Sequence, residues 1–391
     1  MSGSLTDEIL TELAQAIEIP DGAYEAADGR YQDLGGWLND DSKSQSARYQ
    51  PLVSPQGSFR LGTVTRLWKR DDYDLDVALN LQEGITTKSV TQYQLKQLVG
   101  TDLNLYRAER QIQEKLEEKH RCWRLKYQDQ LQFHIDTVPC IPQAGDVKAI
   151  IQERIIQAGT GPLLAHDIAS YAAAITDDRH VSYQRISDDW YTSNPEGYAR
   201  WFESRMKMAR GLLESRALQA RVGHIEDLPA YRWRTPLQMA IQILKRHRDI
   251  MYERDLDRKP ISIIITTLAA QAYRGAFELS ATLEEILRNM QVDYVSPQIL
   301  NPVDPRENFA DRWNTPDGRR LQLKENFHAW LKQAQRDLGM LLSASDYGVL
   351  REHAQKRFGV FVKESAYGRP TANQSPAIHV IRDAPPKPWR R

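Results

Sequence analysis

Residues 56–80 read QGSFRLGTVTRLWKRDDYDLDVALN. From Tyr73 the residues alternate. Tyr73, Leu75, Val77 and Leu79 fall on one face of a strand, and Asp74, Asp76 and Ala78 on the other, so a strand is expected over 72–81. Two carboxylates on one strand face lie about 7 Å apart. They repel when both are ionised, so a cation is needed to stabilise the pair. A hard divalent ion fits, because it takes a few carboxylates and completes its shell with phosphate oxygens and water. The Gly57-Ser58 pair ahead of the strand has a matching use. Glycine lets backbone approach closely, and a serine hydroxyl with neighbouring N–H groups can cradle a phosphate. Thr63 and Thr65 are near enough in sequence to assist.

A third carboxylate comes from FHIDTVPCIP (133–142), an otherwise apolar strand in which Asp136 shares a face with His134 and Val138. Three carboxylates on two neighbouring strands can hold two ions, one activating a hydroxyl and the other gripping a triphosphate. His134 is read as a structural neighbour, not a ligand, since Mg²⁺ prefers oxygen. The competing reading is a solvated acidic strand edge. Two strands that each set aspartates opposite apolar alternates, behind a Gly-Ser pair, weigh against it.

Composition bounds the rest. The 391 residues are 41% hydrophobic and 27% charged, ordinary for a globular chain and incompatible with wholesale disorder. Lys plus Arg equals Asp plus Glu at 52 each, which argues against an obligate polyanion coat. Cys122 and Cys140 stand alone, so neither a disulfide framework nor a structural zinc is expected. The opening MSGSLTDEILTELAQAIEIP lacks the basic and apolar regions of a signal peptide, and ISIIITTLAA is too short to span a bilayer. A cytoplasmic protein with no membrane partner is the expectation.

Helical spacing is expected at 5–18, 22–48 and 89–119, and a hairpin at CWRLKY-QDQ-LQFHIDTVPCIP, with Pro51 and Pro55 breaking regular structure. From about 160 the pattern is helical, over 197–219, 235–250, 260–275, 282–290 and 318–340. Ser193 and Asn194 are capping candidates, and Thr235-Pro236 makes an N-cap and first-turn pair. The fold class is therefore α+β, a mixed sheet followed by a helical lobe. The expected domains are 1–160, a catalytic lobe with N-terminal helices, 161–366, a helical lobe, and 367–391, a proline-rich tail. Arg60, Arg66, Lys69 and Arg70 form a basic run that is either a solvated loop or a lid over phosphates.

Gly57-Ser58, Asp74-x-Asp76 and the distant Asp136 resemble the signature of the polymerase-β-type nucleotidyltransferase superfamily. QGSFRLGTVT, DLDVALNL and HIDTVPCIP are most similar to the bacterial CD-NTases, relatives of cyclic GMP-AMP synthase and oligoadenylate synthetase. ILKRHRD with Lys245, KPISIIITTLAA with Ser262, and NPVDPRENFADRW resemble later segments of that family, so the likeness runs from about 50 to 315. It implies a polymerase-β-like lobe plus an oligoadenylate-synthetase-like helical lobe. It also implies condensation of NTPs, ATP among them, into a cyclic di- or trinucleotide for anti-phage (CBASS) signalling, with release of pyrophosphate.

By the same resemblance Asp74, Asp76 and Asp136 would be catalytic and hold two Mg²⁺ or Mn²⁺ ions, and Gly57, Ser58, Lys245 and Ser262 would bind the nucleotide phosphates. Lys245 has an alternative as an exposed helix lysine, and Ser262 as a plain first-turn residue after Pro260. The implied partners are a downstream effector reached through the diffusible product, and regulatory proteins. No cysteine cluster matches the zinc ribbon of the animal DNA sensor, so a nucleic-acid activator is not implied. The terminal Trp-Arg-Arg lacks the small residue expected for conjugation by an associated ligase system. Two alternatives stay open: a nucleotidyltransferase acting on another acceptor (an RNA 3′ end, a small molecule or a protein), and a catalytically idle nucleotide-binding scaffold.

Overall fold

The computed structural model describes residues 5–68, 72–127, 133–220, 234–293, 295, 297–343 and 346–361. The expected tail, the polar turn at 128–130, and Lys69 and Arg70 lie outside the described residues. The chain divides into two compact units that are discontinuous in sequence. One takes residues 19–204 and 300–308; the other takes the described residues before 19, from 205 to 299, and from 309 on. This differs from contiguous 1–160 and 161–366 domains, because later strands extend the sheet and the first helix packs with the later ones.

That first helix, α1 (Leu5–Ile17), buries Ile9, Leu10, Leu13 and Ile17 in the helical unit. The sheet unit opens with α2 (Asp21–Leu38). The single helix expected to reach 48 stops here, and the Asn39 N–H bonds back to the Gly35 carbonyl at 3.2 Å. β1 (Pro51–Pro55) then forms where two prolines suggested only a break. It is an edge strand, where a missing proline N–H removes no ladder bond. Next come α3 (Gly57–Leu61), β2 (Tyr73–Leu81) and α4 (Gln92–Glu109), the last opened by a Thr91/Gln94 capping box.

β3 (Glu117–Glu118), β4 (Trp123–Tyr127) and β5 (Phe133–Pro142) replace the end of the long helix expected over 89–119 and supply the expected hairpin. Then follow α5 (Gly145–Gln157), α6 (Pro162–Ser170), β6 (Ala173–Ile175), β7 (Tyr191–Ser193) and α7 (Pro195–Ala220). Asn194 caps α7, its Oδ1 accepting the Gly197 N–H at 2.9 Å. Among the described residues these strands make one seven-stranded sheet in the order β1-β2-β5-β4-β3, with β6 on β5 and β7 on β6. Only the β2–β5 pair is parallel, so the sheet is mixed.

The alternation in β2 now has its cause. Tyr73, Leu75, Val77, Leu79 and Leu81 join one core with Tyr31, Leu34 and Trp37 of α2 and Leu95, Val99, Leu103 and Tyr106 of α4. Burying a large apolar side chain gives about 1.5–3 kcal/mol, which fixes the strand's register. The opposite face carries the aspartates and then a small apolar cluster of Ala78, Val138, Cys140, Ala173 and Ile175.

The helical unit contains α8 (Pro236–Met251), α9 (Ser262–Ala272) and α10 (Leu279–Asn289). Thr235 caps α8 in a box with Gln238, and Pro236 follows as the first helical residue. β8 (Leu300–Asn301) and β9 (Asp304–Asn308), the NPVDP stretch, form a hairpin that returns to the sheet unit against α5. α11 (Pro316–Arg320), α12 (Leu323–Ser343) and α13 (Tyr347–Phe358) complete the helical unit, with Phe327, Trp330, Leu338 and Phe358 fully buried. Among the described residues no helix is long and apolar enough to cross a membrane.

Candidate active site

The parallel register of β2 and β5 sets Asp74 opposite His134 and Asp76 opposite Asp136. Neighbouring strands lie about 4.8 Å apart, so these four residues form a two-by-two patch on one sheet face. Asp74 is half exposed, whereas His134 and Asp136 are buried. His134 Nε2 lies 3.0 Å from Asp74 Oδ1. Single ligand atoms of Asp74, His134 and Asp136 all lie within 4.8 Å of one another.

Asp136 has a partner that sequence reading missed. β4 runs antiparallel to β5 and sets Arg124 directly opposite Asp136. The guanidinium donates two hydrogen bonds, Nε to Oδ1 at 2.7 Å and Nη2 to Oδ2 at 2.6 Å. This bidentate pair fixes the carboxylate plane and supplies a cation to an acidic face. The alternation in WRLKY gave a signal for a strand, but the register that selects Arg124 is not written in either strand alone.

Among the described residues Asp76 has no such clamp. Its carboxyl is pushed up to about 8, first by burial, then by the negative charges of Asp74 and Asp136, with Arg124 acting against them. Gly57 explains how the site closes around it. Its φ of +59° is a left-handed conformation, and a Cβ there would sit 2.6 Å from Asp76 Oδ2. The Gln56 N–H donates to the Asp76 carbonyl at 2.7 Å. Only glycine lets this turn lie against the carboxylate. Ser58 follows in the first turn of α3, half-buried, its carbonyl accepting the Thr63 N–H at 2.9 Å.

Gly57, Ser58, Asp74, Asp76 and Asp136 are thus brought together in the sheet unit. The donor set fits a hard divalent ion, since the carboxylates concentrate more negative charge than Arg124 offsets.

Arg60, read as part of a solvated loop or lid, does neither job. It is locked to Glu196 through Nε and Nη2, and to Glu203 through Nη1, each at 2.9 Å.

Lys245 and Ser262 belong to the helical unit. Lys245 is buried, not exposed on a charged helix face. Its ammonium is pushed down to about 7 by burial and then by Arg248 and Lys259, with Asp249 opposing. Arg248 Nη1 donates to Ser262 Oγ at 2.8 Å, and Arg248 and Lys259 both pair with Asp249. This is a compact cationic cluster around one aspartate.

Comparison with known proteins follows the same outline. Residues 51–140 match the model of the family described as cyclic GMP-AMP synthase DncV-like, nucleotidyltransferase domain. A c-di-GMP synthase of Roseivirga ehrenbergii is 29% identical over 313 residues, covering 78% of this chain and 73% of that protein. The cyclic dinucleotide synthase CdnG of Bradyrhizobium diazoefficiens is 26% identical over 321 residues, 78% of this chain and 70% of that one. The solved structure of CdnG in complex with GTP superposes with a TM-score of 0.59 at 20% identity, over 91% of this chain and 95% of that one. The chain is therefore a nucleotidyltransferase with the mixed-sheet fold seen in the CdnG structure, and its likeness to the DncV-like nucleotidyltransferase domain lies in residues 51–140.

Proposed function

We propose that this chain condenses nucleoside triphosphates into a cyclic dinucleotide. In each step a ribose hydroxyl of one nucleotide attacks the α-phosphate of the other, a new P–O bond forms, and pyrophosphate leaves. The observation that carries the reading is the acidic patch of Asp74, Asp76 and Asp136 with the Gly57 turn set against Asp76. The names of the two relatives support a cyclic dinucleotide over a trinucleotide and make GTP the first substrate to test, with ATP beside it.

Asp74, Asp76 and Asp136 would hold Mg²⁺ or Mn²⁺, two ions on the superfamily pattern. When bound, the ions supply charge neutralisation of the triphosphate and activation of the attacking hydroxyl. The side chains of the chain do the rest. Arg124 holds the Asp136 carboxylate in one plane, which aims it for proton transfer from the hydroxyl. Gly57 and Ser58 bind phosphate at the turn, and Lys245 and Ser262 are the helical unit's phosphate ligands. A role in anti-phage signalling through a diffusible product, an effector that reads it, regulatory protein partners and a cytoplasmic location belong to the same proposal.

The test is incubation of the full chain with labelled GTP, ATP and their mixture in Mg²⁺ or Mn²⁺. A phosphatase-resistant small product supports the cyclase. Extension of an added RNA would support a tailing enzyme, and absence of turnover under every condition a scaffold; either would overturn the proposal.

A further inference from the structure

We propose that His134 supplies a nitrogen ligand to the divalent ion held by Asp74 and Asp136, so that this sheet face prefers Mn²⁺ or Co²⁺ to Mg²⁺. The inference rests on the metal-binding reading above and adds to it a fourth side chain and a selectivity. Three observations carry it. His134 occupies a corner of the acidic patch in register, beside Asp74 and two residues from Asp136 on the same strand face. Its side chain is only 11% exposed, yet among the described residues neither ring nitrogen makes a hydrogen bond, although Nε2 lies 3.0 Å from Asp74 Oδ1. The ligand atoms of Asp74, His134 and Asp136 fall within 4.8 Å of one another, close to the spread that donors around one first-row ion adopt.

Apart from the Asp74 carboxylate, which the ion would share with it, the described surroundings give the imidazole no close partner. Lys126, its cross-strand neighbour on β4, is engaged with Glu117. On the far side of the ring Nδ1 faces Asp72 Oδ2 at 3.9 Å. A carboxylate behind the second nitrogen is the usual partner that orients a ligating histidine and raises its basicity. Mg²⁺ accepts imidazole poorly, whereas affinity for a mixed nitrogen and oxygen site rises from Mn²⁺ to Co²⁺. One nitrogen among carboxylates therefore shifts the preference away from Mg²⁺ and still leaves a phosphate-compatible site.

The experiment uses the full chain with Mn²⁺ as the probe and Mg²⁺ as the competitor, without nucleotide. Mn²⁺ affinity is read from the EPR signal of the free ion, and directly bound nitrogen from pulsed EPR of the complex. The wild type is expected to show histidine nitrogen coupling that disappears in His134→Gln and in His134→Asn. The Mn²⁺-over-Mg²⁺ affinity ratio should fall about tenfold in both variants. Bound Mn²⁺ without nitrogen coupling in the wild type overturns the inference and needs no variant to do so. Coupling that persists in a folded His134 variant, or an unchanged affinity ratio, overturns it equally. Asp76→Asn separates the two levels. If that variant loses Mn²⁺ while the His134 variants behave as wild type, the metal site stands and the nitrogen ligand falls; if the wild type binds no Mn²⁺, both readings fall.

Discussion

The two compact units each concentrate charge of one sign. In the sheet unit three aspartates crowd one face, and the Asp76 carboxyl is pushed up to about 8. In the helical unit Lys245, Arg248 and Lys259 crowd around Asp249, and the Lys245 ammonium is pushed down to about 7. Burial is the leading cause in both places, and like charges add to it. Each cluster has one internal counter-ion, Arg124 for the aspartates and Asp249 for the cations. The two differ in what would relieve them. Added positive charge would relieve the first, and added negative charge the second.

The largest effect is expected from Asp76→Asn. It removes the carboxylate that suffers most from its neighbours, and turnover with labelled NTPs should fall about 10³-fold or more. Stability should move the other way. The folded, metal-free protein holds the Asp76 proton to about pH 8, whereas the unfolded chain releases it near 3.8. The native state therefore binds more protons across that window, and stability declines as pH rises through it. Thermal melts in chelator should show Asp76→Asn more stable than wild type at pH 8, with the difference closing toward pH 4. Equal pH profiles would break the contrast between the units.

Lys245→Met probes the other unit and should lower kcat/KM for NTP about 10²-fold. Its pH signature has the opposite sign. The unfolded chain keeps the lysine proton to 10.5 and the folded one releases it near 7, so the unfolded state binds more protons in between. Lys245 thus makes stability rise with pH from 7 to 10.5, and the methionine variant should lose that rise. Urea unfolding at pH 7 and 10 checks it.

These two residues also mark how far the sequence could be read. Asp76 was legible because strand alternation places it opposite a run of core residues. The buried state of Lys245 was not, since LKRHRD reads as a solvated helix face, while α8 buries every residue from Ala240 to Arg248. β1 was hidden behind its two prolines, which an edge strand tolerates. Arg124 required a cross-strand register, and the discontinuous units required tertiary packing. Local pattern carries neither.

Gly57→Ala should have a smaller effect than either. The new methyl would meet Asp76 Oδ2 at 2.6 Å, on a backbone with φ of +59°. The carboxylate has to swing aside and the turn is strained, with a conformational cost of about 1–2 kcal/mol. A drop in turnover of about 10-fold is expected, together with weaker Mn²⁺ binding, both measurable on one preparation. Unchanged metal affinity would show that the turn does not set the Asp76 position.

Arg60→Gln is expected to change turnover least, and it sharpens the comparison by testing a mostly buried cation of the sheet unit that belongs to neither cluster. Arg60 is only 10% exposed in its side chain and spans Glu196 and Glu203 of α7 with three hydrogen bonds. Removing it leaves two partly buried carboxylates without their cation, a loss of about 1–3 kcal/mol that should appear as a lower melting temperature. A residue already held between two glutamates is placed by them and not by substrate, so KM for NTP should stay within about twofold of wild type. A large rise in KM with an unchanged melting temperature would mean that Arg60 leaves its glutamates when substrate binds, and would return the basic stretch after Ser58 to the role of a lid.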